Sequence, residues 1–102
     1  AKMAAPNSEV YAVIGDGTFL MNNTELVTAI KEGTKIVVIL SKNHGIQVIR
    51  KLQEANTGKS FGNEFRKRDE GSGRLSGDYV GVNYAQNAES LGALGITANT
   101  EV

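Results

Sequence analysis

The sequence predicts an α/β fold in three layers: a mostly parallel sheet of about three strands with flanking helices. Three observations carry this. Val10-Tyr11-Ala12-Val13-Ile14 and Ile36-Val37-Val38-Ile39-Leu40 are continuous β-rich apolar runs, the pattern of strands buried on both faces. Between them, Leu26, Ala29 and Ile30 recur at helical spacing. A strand, a helix of about a dozen residues and a second strand make a βαβ unit, whose right-handed crossover leaves the strands parallel.

In chain order, Ala1 to Ala5 reads as a last helical turn ended by Pro6-Asn7. Val10 to Ile14 is the first strand and Gly15-Asp16-Gly17 the turn after it. A helix then runs from Thr18 or Asn22 to about Glu32, with Glu25, Thr28, Lys31 and Glu32 mainly on its polar face. A shorter helix starting at Thr24-Glu25, capped by Asn22 or Asn23, fits as well. Gly33 suits the position just past its end. Lys35 to Leu40 is the second strand. Ile46, Ile49 and Leu52, with Val48, predict a short helix over Ile46 to Ala55. Residues 57–78 are glycine-rich with mixed charge; loops this long are functional or disordered. Tyr84, Ala88 and Leu91 predict a helix over Asn83 to Ala93, and Ile96-Thr97-Ala98 a third, edge-like strand. Residues 1–102 read as a single domain, truncated from a longer protein.

Composition narrows the function. A chain of 102 residues supports one modest core. Its 11 basic and 11 acidic side chains balance, which argues against nucleic-acid or anionic-membrane binding. No cysteine is present, so thiolate and disulfide chemistry are excluded. No apolar run approaches the roughly 20 residues of a membrane span. The start lacks the long apolar centre of a signal peptide, and a cytoplasmic location is expected.

Both strand ends carry chemistry. The first run ends in Gly15-Asp16-Gly17 and the second in Asn43-His44-Gly45. Parallel strands bring both turns to the carboxyl edge of the sheet, where α/β proteins bind ligands. Asp16 offers an anionic oxygen, Asn43 a neutral side-chain carbonyl and Gly45 a backbone carbonyl. Diphosphate oxygens and water would complete the octahedron that Mg²⁺ prefers. Glycines let a phosphate approach closely, and the amides of Gly17 and Thr18, with the Thr18 hydroxyl, suit the diphosphate. Gly-Asp-Gly alone is common as a tight turn; paired with Asn-x-Gly after the next parallel strand it is far rarer.

The two motifs at this spacing resemble the cofactor-anchoring signature of thiamine-diphosphate-dependent enzymes. Gly-Asp-Gly-Thr-Phe-Leu-Met at 15–21, Glu-Leu-Val-Thr-Ala-Ile at 25–30 and Ser-Phe-Gly-Asn-Glu-Phe-Arg at 60–66 resemble one branch, the trihydroxycyclohexanedione hydrolases of inositol catabolism. The resemblance covers nearly the whole chain. It implies a fragment of a thiamine-diphosphate-binding fold. Asp16, Asn43 and the Gly45 carbonyl would hold Mg²⁺, and Gly15, Gly17 and Thr18 would adjoin the diphosphate. The implied reaction is cleavage of a carbon–carbon bond in a cyclic 1,2-diketone by water, with Ser60 to Arg68 as substrate loop. Such enzymes are several times longer, and the glutamate that activates the cofactor comes from another domain, usually of a partner subunit. The resemblance therefore implies remaining domains or a partner subunit, homo-oligomerisation, and a chain inactive by itself.

Other readings stay open. A 2-keto-acid decarboxylase or acetolactate-synthase-like enzyme would keep the cofactor and change the substrate. An Mg²⁺-binding receiver-like module fits less well, because Asp16 has no acidic neighbour. A non-catalytic interaction domain is a further alternative. His44, the only histidine, reads as a loop residue facing away from the site. Glu25 reads as solvated, Arg66-Lys67-Arg68 as a mixed-charge loop, and Phe61 and Phe65 as loop anchors. One histidine without placed partners makes no catalytic triad.

Overall fold

The computed structural model describes residues 1–99; residues 100–102 of the expected domain lie outside the described residues. Two strands, β1 (Tyr11–Gly15) and β2 (Val37–Ser41), form a parallel two-stranded sheet. Four helices accompany them: α1 (Asp16–Met21), α2 (Glu25–Lys31), α3 (Gln47–Thr57) and α4 (Tyr84–Ser90). The α/β class and the parallel pairing are as the apolar runs require. Ala1 to Ala5 forms a single turn closed by Ala5 N–H donating to Ala1 O at 3.0 Å.

The described residues fall into two compact units. One contains residues 1–12, 22–38 and those described from 82 onward. It holds α2 and α4. Helix α2 ends in a Schellman motif: Gly33 (φ 60°) donates to Ile30 O at 3.0 Å, and Thr34 to Ala29 O at 2.8 Å. This is the role expected of Gly33. Helix α4 is capped by Asn83, whose side chain accepts from Gln86 N at 3.0 Å. It closes with a second Schellman motif, Gly92 to Glu89 O and Ala93 to Ala88 O, at 2.9 and 3.0 Å.

The other unit contains residues 13–21 and 39–81. Phe19, on α1, is the one buried large apolar side chain among the described residues. Helix α3 is followed by Gly58, whose N–H still donates to Glu54 O at 2.8 Å and whose left-handed backbone (φ 67°) turns the chain out of the helix. Residues 58–81 contain no helix or strand, yet they are ordered by antiparallel bridges, Gly45 with Glu64 and Arg66 with Tyr79.

Three expectations change. The third strand over Ile96 to Ala98 does not form. After α4 the chain folds back onto the helix instead: a Cβ on Gly95 would lie 2.3 Å from Ala85 O. The long helix to Glu32 is interrupted at 22–24. Asn and Thr there bond locally or sideways rather than along a helix; Asn23 Nδ2 donates to Asn87 Oδ1 at 2.8 Å. Neither asparagine caps α2, whose first residue follows Thr24 without a side-chain cap. The strands are not buried on both faces, since Val13 is 73% and Ile39 49% exposed. Two five-residue strands and short helices have too little area to cover both faces. No helix among the described residues is long and apolar enough to cross a membrane.

The Asn83 cap gives a direct test. Asn83→Ala removes the acceptor for Gln86 N–H and should destabilise the chain by about 0.5–2 kcal/mol in urea denaturation.

Candidate functional site

The carboxyl ends of β1 and β2 meet through one side chain. Helix α1 starts at Asp16 directly after β1, without an intervening turn. Asp16 is fully buried. Its carboxylate accepts three backbone N–H bonds: Gly17 to Oδ1 at 2.8 Å, His44 to Oδ2 at 2.7 Å and Gly45 to Oδ1 at 3.2 Å. A buried charge is tolerable only with such partners. Two of the three come from the turn after β2, so the carboxylate fastens that turn to the end of β1.

Asn43 completes the arrangement. Its side-chain amide lies against Asp16 Oδ1 at 2.8 Å and the Gly45 carbonyl oxygen at 2.9 Å, where its nitrogen donates to both. Turned end for end, the amide would present its oxygen instead, giving one anionic and two neutral oxygens. Adjacent ligands of an octahedral Mg²⁺, at about 2.1 Å from the ion, stand about 3.0 Å apart. With the amide so turned, the donor set and spacing fit Mg²⁺. Among the described residues no group of three or more His, Cys, Asp or Glu side chains could hold a metal. A site with one carboxylate suits Mg²⁺ bound jointly with phosphate oxygens.

The same residues border a cleft of about 180 Å³ lined by Gly15, Thr18, Asn43, Gly45, Ile46, Gln47 and Val48. All six sequence-predicted positions are thus brought together: Gly15, Thr18, Asn43 and Gly45 on the cleft, Asp16 and Gly17 buried beside it. The Gly17 N–H is engaged by Asp16. Gln47 steadies the turn, donating through Nε2 to Asn43 O at 2.9 Å.

Glycine is required at two of these positions. A Cβ on Gly45 would lie 2.2 Å from Asn63 O, where φ is already 148°. A Cβ on Gly17 would lie 2.8 Å from Gly45 O and from Ile46 Cγ1. A Cβ on Gly15 would have the Asn43 side-chain amide as its nearest neighbour, at an ordinary 3.7 Å.

A second group of residues lies behind the turn. Ile46 N–H donates to Asn63 O at 2.8 Å and Phe65 N–H to His44 O at 2.9 Å. Val80 N–H donates to Phe65 O at 2.7 Å. Glu64 is the hub: it accepts from Arg66 Nε at 3.0 Å and from the Tyr79 hydroxyl at 2.8 Å, with Arg50 Nε at 3.8 Å. The Arg66 hydrogen bond, more than the Tyr79 bond and the Arg50 charge, holds the Glu64 carboxyl below the usual carboxylate range, against a smaller opposing effect of burial. The same Glu64 bond raises Tyr79 above its ordinary value. His44 does not line the cleft; its ring stacks on Tyr79, centroids 4.3 Å apart at 18°. Arg66 is a paired residue of this cluster rather than a free clamp, and its guanidinium lies 3.9 Å from the Tyr79 ring centroid. Sequence reasoning placed Glu64 within the 60–68 loop but left Tyr79 out, because Tyr79 stands 15 residues from Glu64 in the chain. The alternation of Glu64 and Arg66 in residues 57–78 was the available signal.

The profile of the thiamine pyrophosphate enzyme C-terminal TPP binding domain matches residues 1–102. The chain belongs to this family. Among curated relatives, a 3D-(3,5/4)-trihydroxycyclohexane-1,2-dione hydrolase of Geobacillus thermodenitrificans is 48% identical over 91 residues, 89% of this chain and 14% of that protein. A protein of the same name from Clostridium tetani is 41% identical over 97% of this chain and 15% of its own length. A third, hydrolase 2 of Bacillus cereus strain ZK, is 44% identical over 90% of this chain and 14% of its length. This TPP binding domain sequence thus spans about one-seventh of the relatives it matches.

The glycine geometry predicts a graded series. Gly45→Ala and Gly17→Ala should each cost on the order of 1–3 kcal/mol, whereas Gly15→Ala should stay within about 0.5 kcal/mol, all read by urea denaturation. Glu64 gives a pH test. Because its folded pKa is lowered, its stabilising effect is complete above the unfolded value of about 4.3 and fades as pH falls through the folded value. The stability gap between wild type and Glu64→Gln should be constant above about pH 5.5 and shrink on further acidification, as urea midpoints across that range would record.

Proposed function

We propose that this chain is one diphosphate-binding domain that anchors thiamine diphosphate through Mg²⁺, within an enzyme that hydrolyses a carbon–carbon bond of a cyclic 1,2-diketone. The observation that carries the reading is that Asp16 Oδ1, the Asn43 side-chain amide and the Gly45 carbonyl lie together beside a cleft, where turning the amide presents three oxygens to a cation. The substrate class rests on the names of the relatives, 3D-(3,5/4)-trihydroxycyclohexane-1,2-dione hydrolases.

Asp16 supplies the charge that holds the cation, and Asn43 and Gly45 supply neutral oxygens, so the diphosphate keeps its own negative charge for the ion. Thr18 and Gly15 border the space for the diphosphate, while the absent Cβ of Gly17 lets the Gly45 turn pack against α1. The bound cofactor supplies the carbanion chemistry that amino-acid side chains lack. The protein's part is to fix its position and exclude other geometries.

Apolar residues Val13, Ile39, Val48 and Leu52 are exposed. Large apolar side chains this exposed suit coverage by further protein, and we assign that role to remaining domains or a partner subunit of a homo-oligomeric, cytoplasmic enzyme. Those parts would also furnish the acid that activates the cofactor. The isolated chain is accordingly expected to show no turnover.

Calorimetric titration of the 102-residue chain with thiamine diphosphate tests the reading. Binding should be weak, require Mg²⁺ and vanish in Asp16→Ala. Equal heats with and without Mg²⁺, or binding retained by Asp16→Ala, would remove the metal-anchored site from consideration.

A further inference from the structure

We infer that Tyr79 is a positioning residue for the Gly45 carbonyl, acting through the stacked ring of His44; the inference rests on the Mg²⁺-anchored reading above. His44 is the only non-glycine residue with positive φ among the described residues, at 63°. That left-handed conformation is unfavourable for a residue with a Cβ, although histidine tolerates it better than most. It also shapes the turn: the amides of His44 and Gly45 both reach the Asp16 carboxylate, and the Gly45 carbonyl lies against the Asn43 amide. Something outside the turn must therefore favour this backbone over its relaxed alternatives.

The Tyr79 ring is placed to do so. It stacks on the His44 ring with centroids 4.3 Å apart, nearly parallel. Tyr79 is itself fixed from the far end. Its hydroxyl donates to Glu64 Oε1 at 2.8 Å and accepts from Arg66 Nη2 at 2.7 Å. Its backbone is tied by the bridge to Arg66. Glu64 in turn bridges to Gly45, the residue being positioned. The path from Tyr79 to the turn is thus closed on both sides, through the aromatic stack and through the backbone. The stack addresses the side chain of the one residue in the turn that bears backbone strain, which a general scaffold contact would not need to do.

The consequence is that the stack matters only while residue 44 has a Cβ. Glycine adopts φ near +60° without penalty, so His44→Gly should make the turn independent of Tyr79. The test is Mg²⁺ titration of the ¹⁵N-labelled chain with thiamine diphosphate present, following the Gly17 and Gly45 amide signals. His44 is the only histidine, so its ring protons report the stack without ambiguity. Tyr79→Ala should weaken Mg²⁺ about three- to tenfold, the worth of an aromatic stack. Tyr79→Leu, which keeps apolar bulk without the flat ring, should behave alike. Tyr79→Phe, which keeps the ring, should remain within about twofold of wild type. Adding Tyr79→Ala to His44→Gly should change affinity by less than about twofold.

Asp16→Asn separates the two levels of the argument. If it abolishes Mg²⁺ binding while Tyr79→Ala and Tyr79→Leu leave affinity unchanged, the positioning role is wrong and the metal site stands. An equal loss on removing Tyr79 with histidine or glycine at position 44 would also overturn it. A wild-type chain with no saturable Mg²⁺ response at Gly45 would overturn the metal reading, and this inference with it.

Discussion

The Asp16 carboxylate is buried completely, and few other side chains among the described residues are. Its desolvation is offset by N–H groups from Gly17, His44 and Gly45. That exchange joins the end of one strand to the turn after the other, with no hydrogen bond of the sheet ladder involved. The turn, the cleft beside it and the close approach of Gly17 to the Gly45 carbonyl all follow from this attachment. A carboxylate so held cannot swing toward solvent to find a cation. Any ion it binds must come to it, at the edge where Asn43 and Gly45 offer their oxygens.

Asn43 is the adaptable member of the group. An amide presents an acceptor at one end and a donor at the other. With oxygen inward it adds to a cation site; with nitrogen inward it bonds to Asp16 and Gly45 directly. Glutamate or aspartate at position 43 could not make that exchange, and would set a second charge about 3 Å from a buried carboxylate. Neutrality at position 43 is therefore as much a part of the site as the charge at position 16.

Much of the fold was legible. Both strands lie within one or two residues of their apolar runs, because β-branched residues in a continuous stretch admit few alternatives. Gly33 ends α2 and Asn83 starts α4, since each residue satisfies a local backbone need. The misreadings have a common source. Ile96 to Ala98 has strand composition but no ladder partner, and the long helix through Asn22 to Thr24 had the periodicity but three residues that bond elsewhere. Composition reports a preference, and the partner that redeems it lies outside the window being read. Burial of the strands failed as an expectation for the same reason, because covering a sheet face takes area from other elements.

The sequence by itself determined the α/β class, the parallel βαβ unit and the six residues that gather at the carboxyl edge. These depend on local pattern and on the handedness of the crossover, which chain geometry constrains strongly. It also carried the resemblance to the family that the match over residues 1–102 shows. The tertiary structure alone decided that Asp16 is fastened by amides from the turn after β2, and that Glu64, Arg66 and Tyr79 stand behind His44. Those contacts join residues far apart in the chain through single hydrogen bonds and one ring stack. No periodicity encodes them, because each depends on where two separately specified segments come to rest.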